Sequence, residues 1–162
     1  VHLQADPVAR DRNLFLAAAR LPLHGCRVLV VDDDPAAREV LQAVLASEGA
    51  EVTTAESAAA ALDRIELEHP DVMLADISMP VVDGFTLVEQ LRLRPAEAGG
   101  QTPVAALTGY VSAEDQERAK RAGFQAYLLK PVDAGELIQA VKTLAAPRTC
   151  APAAGASEVP RA

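Results

Sequence analysis

Four short apolar runs in this chain end in polar residues whose types suit phosphoryl chemistry. Asp32, Asp33 and Asp34 follow the run Val28 to Val31, Asp76 follows Val72 to Ala75, Thr108 follows Val104 to Leu107, and Lys130 follows Ala126 to Leu129. Crowded carboxylates raise one another's pKa unless a cation joins them. Mg²⁺ is the hard cation that takes a few carboxylate oxygens and keeps its other positions for water and phosphate oxygens. A lysine and a threonine hydroxyl beside it would supply charge and a hydrogen bond to phosphoryl oxygens. Taken singly, each residue has a plainer reading. Asp34, directly before Pro35, suits a helix N-cap better than a metal ligand. A lone Asp or Thr after a strand often bonds backbone in a turn, and a lysine before a proline is ordinarily a surface residue. The convergence of all four sets is what argues for a joint site.

That convergence depends on the elements that carry the residues. Arg27 to Val31 is β-branched and continuous, as a buried strand requires. Pro35 to Ser47 places Val40, Leu41, Val44 and Leu45 at helical spacing, with Asp34 as cap and Gly49 as stop. The alternation repeats with a strand at Val52–Ala55 and a helix from the Ser57 cap to about Glu66. A strand at Val72–Ala75 ends at Asp76 and is followed by a helix over Phe85–Leu93. A strand at Val104–Leu107 ends at Thr108, with a helix over Ala113–Ala122. A last strand, Ala126–Leu129, and a helix over Asp133–Leu144 complete the series. Five strand–helix pairs with short connections predict an α/β parallel sheet covered on both faces. Ligands in such sheets bind beyond the carboxyl ends of the strands.

The 162 residues suffice for one domain with arms, and half of them are apolar, which suits a packed core. The divisions expected are an N-terminal arm or linker over 1–25, the folded domain over 26–146 and a disordered Ala/Pro-rich tail over 147–162. Residues 9–21 could form a helix around Leu14, Phe15 and Leu16, or contribute a strand at Leu21–Leu23; the sequence leaves both open. The middle, 26–146, holds ten basic against twenty acidic residues, more negative than the −8 of the whole chain. Such a surface repels nucleic acid phosphates, so no nucleic acid partner is expected. The apolar runs are too short for a transmembrane helix, and no signal-peptide pattern opens the chain. Cys26 and Cys150 have neither metal-ligand nor disulfide-framework spacing, so a cytoplasmic location is expected. His2, His24 and His69 read as surface residues.

The motifs Val-Leu-Val-Val-Asp32-Asp33-Asp34-Pro, Asp76-Ile-Ser-Met-Pro-Val-Val-Asp83-Gly84, Ala-Leu-Thr108-Gly109 and Tyr127-Leu-Leu-Lys130-Pro131 together resemble response-regulator receiver domains of bacterial two-component signalling. The resemblance covers residues 27 to 144. It implies a flavodoxin-like (βα)5 fold in which Asp76 accepts a phosphoryl group in a Mg²⁺-dependent reaction. It further implies metal ligation by Asp32, Asp33, Asp76 and the backbone carbonyl of Ser78, and an ion-pair role for Lys130. Thr108 would follow the phosphoryl group, with Tyr127 as the switching aromatic, and Lys130–Pro131 would be a cis peptide. The donor implied is a sensor histidine kinase or a phosphotransfer protein. The outcome implied is a population shift of about a few kcal/mol that alters protein contacts or self-association through residues 113–144. On this reading the chain is a signalling phosphoacceptor, with no enzymatic role beyond its own phosphotransfer and dephosphorylation.

Two features depart from the family pattern. Gly109 stands where alanine is usual, and the stretch Arg94 to Pro103 is a long connection, similar to ones in receivers attached to hybrid histidine kinases. Leu21 to Gly25 also looks like the junction that follows a kinase ATPase domain. An Asp-nucleophile phosphohydrolase would account for Asp32-x-Asp34 but leave the Asp76–Gly84 motif unused. A receiver-shaped module that is never phosphorylated would leave the intact Asp/Asp/Asp/Thr/Lys set unexplained.

Overall fold

A computed structural model describes residues 21–79, 81–109 and 112–149. The strands are β1 (Arg27–Val31), β2 (Glu51–Ala55), β3 (Val72–Asp76), β4 (Val104–Thr108) and β5 (Ala126–Leu129). The helices between and after them are α1 (Pro35–Ser47), α2 (Ala58–Glu68), α3 (Gly84–Arg92), α4 (Ala113–Ala122) and α5 (Ala134–Thr149), with a short 3-10 turn at Ala96–Ala98. The strands form one parallel sheet in the order β2-β1-β3-β4-β5. This strand order is that of the flavodoxin-like fold. The strand order reverses between β1 and β3, and that reversal opens the crevice in which the acidic residues meet.

The side chains of β1 show why the sheet is covered twice. Leu29 and Val31 enter one core with Ile65, Phe85, Leu87 and Phe124, under α2, α3 and α4. Val28 and Val30 enter the other with Leu41, Leu45, Leu137 and Val141, under α1 and α5. Every residue of β3 and β4 is buried, as expected of central parallel strands with helices on both faces. Among the described residues no helix is long and apolar enough to cross a membrane.

Local capping sets the helix starts. The Asp34 carboxylate accepts from the Ala36 N–H, Ser57 from Ala60, and Asp83 from Thr86. Ser112 and Asp115 form a reciprocal capping box on α4. At the other end of α4, Gly123 adopts φ 109° and closes the last turn onto the Ala119 and Lys120 carbonyls.

Several boundaries differ from those read in the sequence. Strand β2 begins one residue earlier, α2 runs two residues further, and α5 continues to Thr149, well past Leu144. Leu21–Gly25 is a turn, not a strand: Leu23 is buried, and its N–H donates to the Glu48 carbonyl at the end of α1 (2.9 Å). The helix considered around Leu14, Phe15 and Leu16 lies outside the described residues, as do His2 and Cys150. The long Arg94–Pro103 connection is ordered by Arg92. Its guanidinium donates to the carbonyls of Gly100 (2.9 Å), Thr102 (2.8 Å) and Gly123 (2.8 Å), spanning the connection and the end of α4.

Candidate functional site

The parallel register carries the strand ends to one edge of the sheet. Val31 pairs with Ala75, and Asp76 with Leu107, so Asp32 and Asp33 follow β1 beside Asp76, and Thr108 stands one step beyond. Carboxylate oxygens of Asp32, Asp33 and Asp76 lie within 4.8 Å of one another. Asp32 and Asp76 are buried, whereas Asp33 is exposed. Lys130 joins them from β5, its Nζ 3.1 Å from Asp32 Oδ2 and 3.5 Å from Asp76 Oδ2. The lysine's backbone is fixed by its own N–H, which donates to the Thr108 carbonyl (2.8 Å). The Lys130–Pro131 peptide is cis.

Asp32 is held from several sides. One carboxylate oxygen accepts from the Asp34 N–H (2.9 Å) and the other from Lys130. Its own N–H donates to the Ala55 carbonyl (3.2 Å). Asp34 turns away to cap α1, as its position before Pro35 predicts. Ser78 lies two residues past Asp76, and its N–H donates to Asp76 Oδ1 (3.1 Å).

Burial pushes the Asp76 carboxyl above its ordinary value. The Ser78 N–H and Lys130 oppose that rise, and the Asp32 charge adds to it. For Lys130 burial acts downward, but the Asp32 and Asp76 carboxylates outweigh it and leave the ammonium above its usual range. The site therefore has a surplus of negative charge that one lysine does not neutralise. Three carboxylates, one of them open to solvent, form a donor set suited to a hard divalent cation that retains water ligands.

One wall of the site is a cleft lined by Ile77, Ser78, Asp83, Phe85, Thr108, Gly109 and Asp115. A Cβ at Gly109 would meet nothing within 4 Å, so the glycine leaves this wall open without being sterically required. Tyr127 lies half-buried against the core, and its hydroxyl donates to the Gln116 carbonyl of α4 (2.8 Å). Burial, with Glu117 adding to it, raises the tyrosine's pKa.

Two arginines near the site were not singled out in the sequence. Arg118 of α4 sits 4.2 Å above the Phe85 ring and 3.6 Å from Asp83 Oδ2. Phe85 in turn packs edge-on against Phe124, their centroids 6.0 Å apart. Arg38 of α1 reaches back to the Asp32 carbonyl (2.6 Å). The first contact joins residues far apart in sequence and leaves no local signal. The second could have been suspected, because a cation in the first turn of a helix opposes the dipole.

Residues 28–142 match the response regulator receiver domain family, and the chain belongs to it. It is 46% identical over 115 residues to an uncharacterized 14.6 kDa protein of Leptolyngbya boryana, covering 71% of this chain and 86% of that one. It is 35% identical over 143 residues to the sensory/regulatory protein RpfC of Xanthomonas campestris, covering 88% of this chain but only 20% of RpfC. Among solved structures, Vibrio cholerae CheY4 superposes with a TM-score of 0.69 at 30% identity, covering 74% of this chain and 98% of that one. The receiver domain of the Pseudomonas aeruginosa sensor histidine kinase PA1611, with a magnesium ion coordinated in its active site cleft, gives a TM-score of 0.68 at 31% identity. That alignment covers 75% of this chain and 98% of the other.

Proposed function

We propose that the chain accepts a phosphoryl group on Asp76 from a phosphohistidine of a sensor histidine kinase or phosphotransfer protein. The observation that carries this reading is the meeting of Asp76 with Asp32, Asp33 and Lys130 at one sheet edge. An Asp76 oxygen attacks phosphorus as the P–N bond breaks. The imidazole keeps that electron pair and takes up a proton, leaving an acyl phosphate on the protein. Lys130 offers its ammonium to the equatorial oxygens, and Thr108 its hydroxyl to the transferred group. Asp32, Asp33, Asp76 and the Ser78 carbonyl would hold Mg²⁺, which supplies charge neutralisation at the phosphoryl oxygens when bound. The likeness to the receiver domain of the sensor histidine kinase PA1611 favours a histidine-kinase donor.

The acidic trio assigns unequal roles. Asp33 is exposed and free to ligate, while Asp34 is committed to the α1 cap. In a Mg²⁺ titration Asp33→Ala should weaken binding at least about tenfold, and Asp34→Ala should leave it nearly unchanged while lowering stability by about 1 kcal/mol. Equal metal losses in the two variants would refute this division.

The phosphorylated state acts through protein contacts of residues 113–144. Phosphorylation adds only about one to two negative charges, so a two-state element must carry the signal outward. Thr108, with Tyr127 and its bond to α4, is that element. With Mg²⁺ and beryllofluoride, amide hydrogen exchange should change at 108–109, 112–122 and 126–144. Unchanged exchange, together with unchanged association, would leave a phosphate sink as the better reading.

A further inference from the structure

Arg38 occupies the fourth position of α1, within the first turn, where the helix dipole disfavours a cation. No acidic residue of that turn compensates it. Its guanidinium instead donates through Nη1 to the backbone carbonyl of Asp32 at 2.6 Å, from a half-buried position. With that bond all four polar groups of Asp32 are engaged: the N–H with Ala55, the two carboxylate oxygens with Asp34 and Lys130, and the carbonyl with Arg38.

Asp33 is different. Its carboxylate is exposed and makes no hydrogen bond or ion pair with another described residue. With no such partner to hold the side chain, the backbone alone fixes the point and direction from which it leaves, and so the volume its rotamers can reach. The Asp32 carbonyl and the Asp33 N–H share one rigid peptide plane, so whatever holds that carbonyl also holds the plane from which Asp33 departs.

We propose that Arg38 is a positioning residue for the cation site, fixing the Asp32–Asp33 peptide and thereby the reach of the Asp33 carboxylate toward Asp76. The inference rests on the reading of the acidic trio as a divalent-cation site. It also carries a sign that separates geometry from charge. A guanidinium beside a cation site repels the ion, so if Arg38 acted by charge alone its removal would tighten binding. If it acts by holding the peptide, removal weakens binding despite the lost repulsion.

The experiment is a Mn²⁺ titration of the full chain, following free Mn²⁺ by electron paramagnetic resonance, with Mg²⁺ as competitor. Arg38→Met keeps much of the side-chain stem but loses charge and donor, and should bind Mn²⁺ about tenfold more weakly, as removal of an outer-shell partner does. Arg38→Lys keeps the charge and a donor and should fall between Arg38→Met and wild type. A lysine variant as weak as the methionine variant would still favour geometry over charge. Arg64→Met, which removes a surface pair with Glu68 on α2, should match wild type. Circular dichroism without metal checks that each variant is folded, and Arg38→Gln takes the place of Arg38→Met if the latter is not. Affinity equal to or tighter than wild type in the folded neutral variant overturns the proposal. If wild type and Asp33→Ala both fail to bind Mn²⁺, the cation-site reading itself falls, a result distinct from an effect confined to Arg38.

Discussion

Asp76→Asn should abolish phosphoryl labelling and, at neutral pH, raise the melting midpoint by a few degrees. With acetyl phosphate and Mg²⁺ the wild-type chain should gain one acid-stable, base-labile phosphoryl group. The variant, lacking the nucleophile, should gain none. The stability half follows from the site's electrostatics. Burial raises the Asp76 pKa in the folded state, with repulsion from Asp32 adding to it. A raised folded pKa means that its favourable contribution is complete below the unfolded carboxylate pKa of about 3.9 and is lost as pH climbs through the folded value. Above that folded value wild type carries a buried charge whose cost the neutral asparagine escapes. The difference should close as pH falls toward the ordinary carboxylate range. Saturating Mg²⁺ should narrow it too, because the ion stabilises only the folded state that binds it. Full labelling of Asp76→Asn would refute the phosphoacceptor assignment. A variant no more stable than wild type at neutral pH would refute the account of a destabilised buried charge.

Gly84→Ala should lower stability by about 2–3 kcal/mol, the upper part of the range for overpacking a buried position. For a domain of this size that corresponds to about 10 °C in thermal unfolding. A Cβ at Gly84 would stand 2.6 Å from the Asp76 carbonyl oxygen and 2.9 Å from the Ile77 Cα. Both are backbone atoms and cannot rotate aside. The Gly84 N–H also donates to the Ile77 carbonyl (3.0 Å), so α3 starts directly against the segment leaving β3. The added methyl must move either the helix or the strand end that carries Asp76, so labelling should fall along with stability. Gly109→Ala is the matched control, since its Cβ meets open space, and its melting midpoint should stay close to wild type. Equal midpoints for the two alanine variants would show that the contact at Gly84 relaxes freely.

The strand ends were legible because the signals there are local. A β-branched run closing on Asp32, a buried run closing on Asp76 and the Asp34–Pro35 pair each report their own structure within a few residues. Lys130 was legible by its place after the last strand, although its partner Asp32 lies 98 positions away. Contacts whose partners carry no pattern were not. Arg92 reaches Gly123 across 31 residues, and Arg118 sits over Phe85 from another helix. An arginine in an amphipathic segment reads as solvated surface until the tertiary neighbours are known. The turn at Leu21–Gly25 was missed as a turn because two leucines around a proline suit a strand equally well. What settles it is the hydrogen bond from Leu23 to Glu48.

That turn also governs access. The chain enters β1 from a segment pinned to the end of α1, with Leu23 buried and the Cys26 N–H bonded to the Leu23 carbonyl (3.0 Å). The point of entry and the acidic trio lie at opposite ends of β1, separated by five strand residues and about 16 Å of rise. Residues 21–26 therefore wall off none of the approach to Asp76, and a docking macromolecule meets the mouth of the cleft without having to displace them. The Leu23 anchor and the acidic edge thus occupy opposite ends of the same strand, and the face that meets a partner is the one turned away from the anchor.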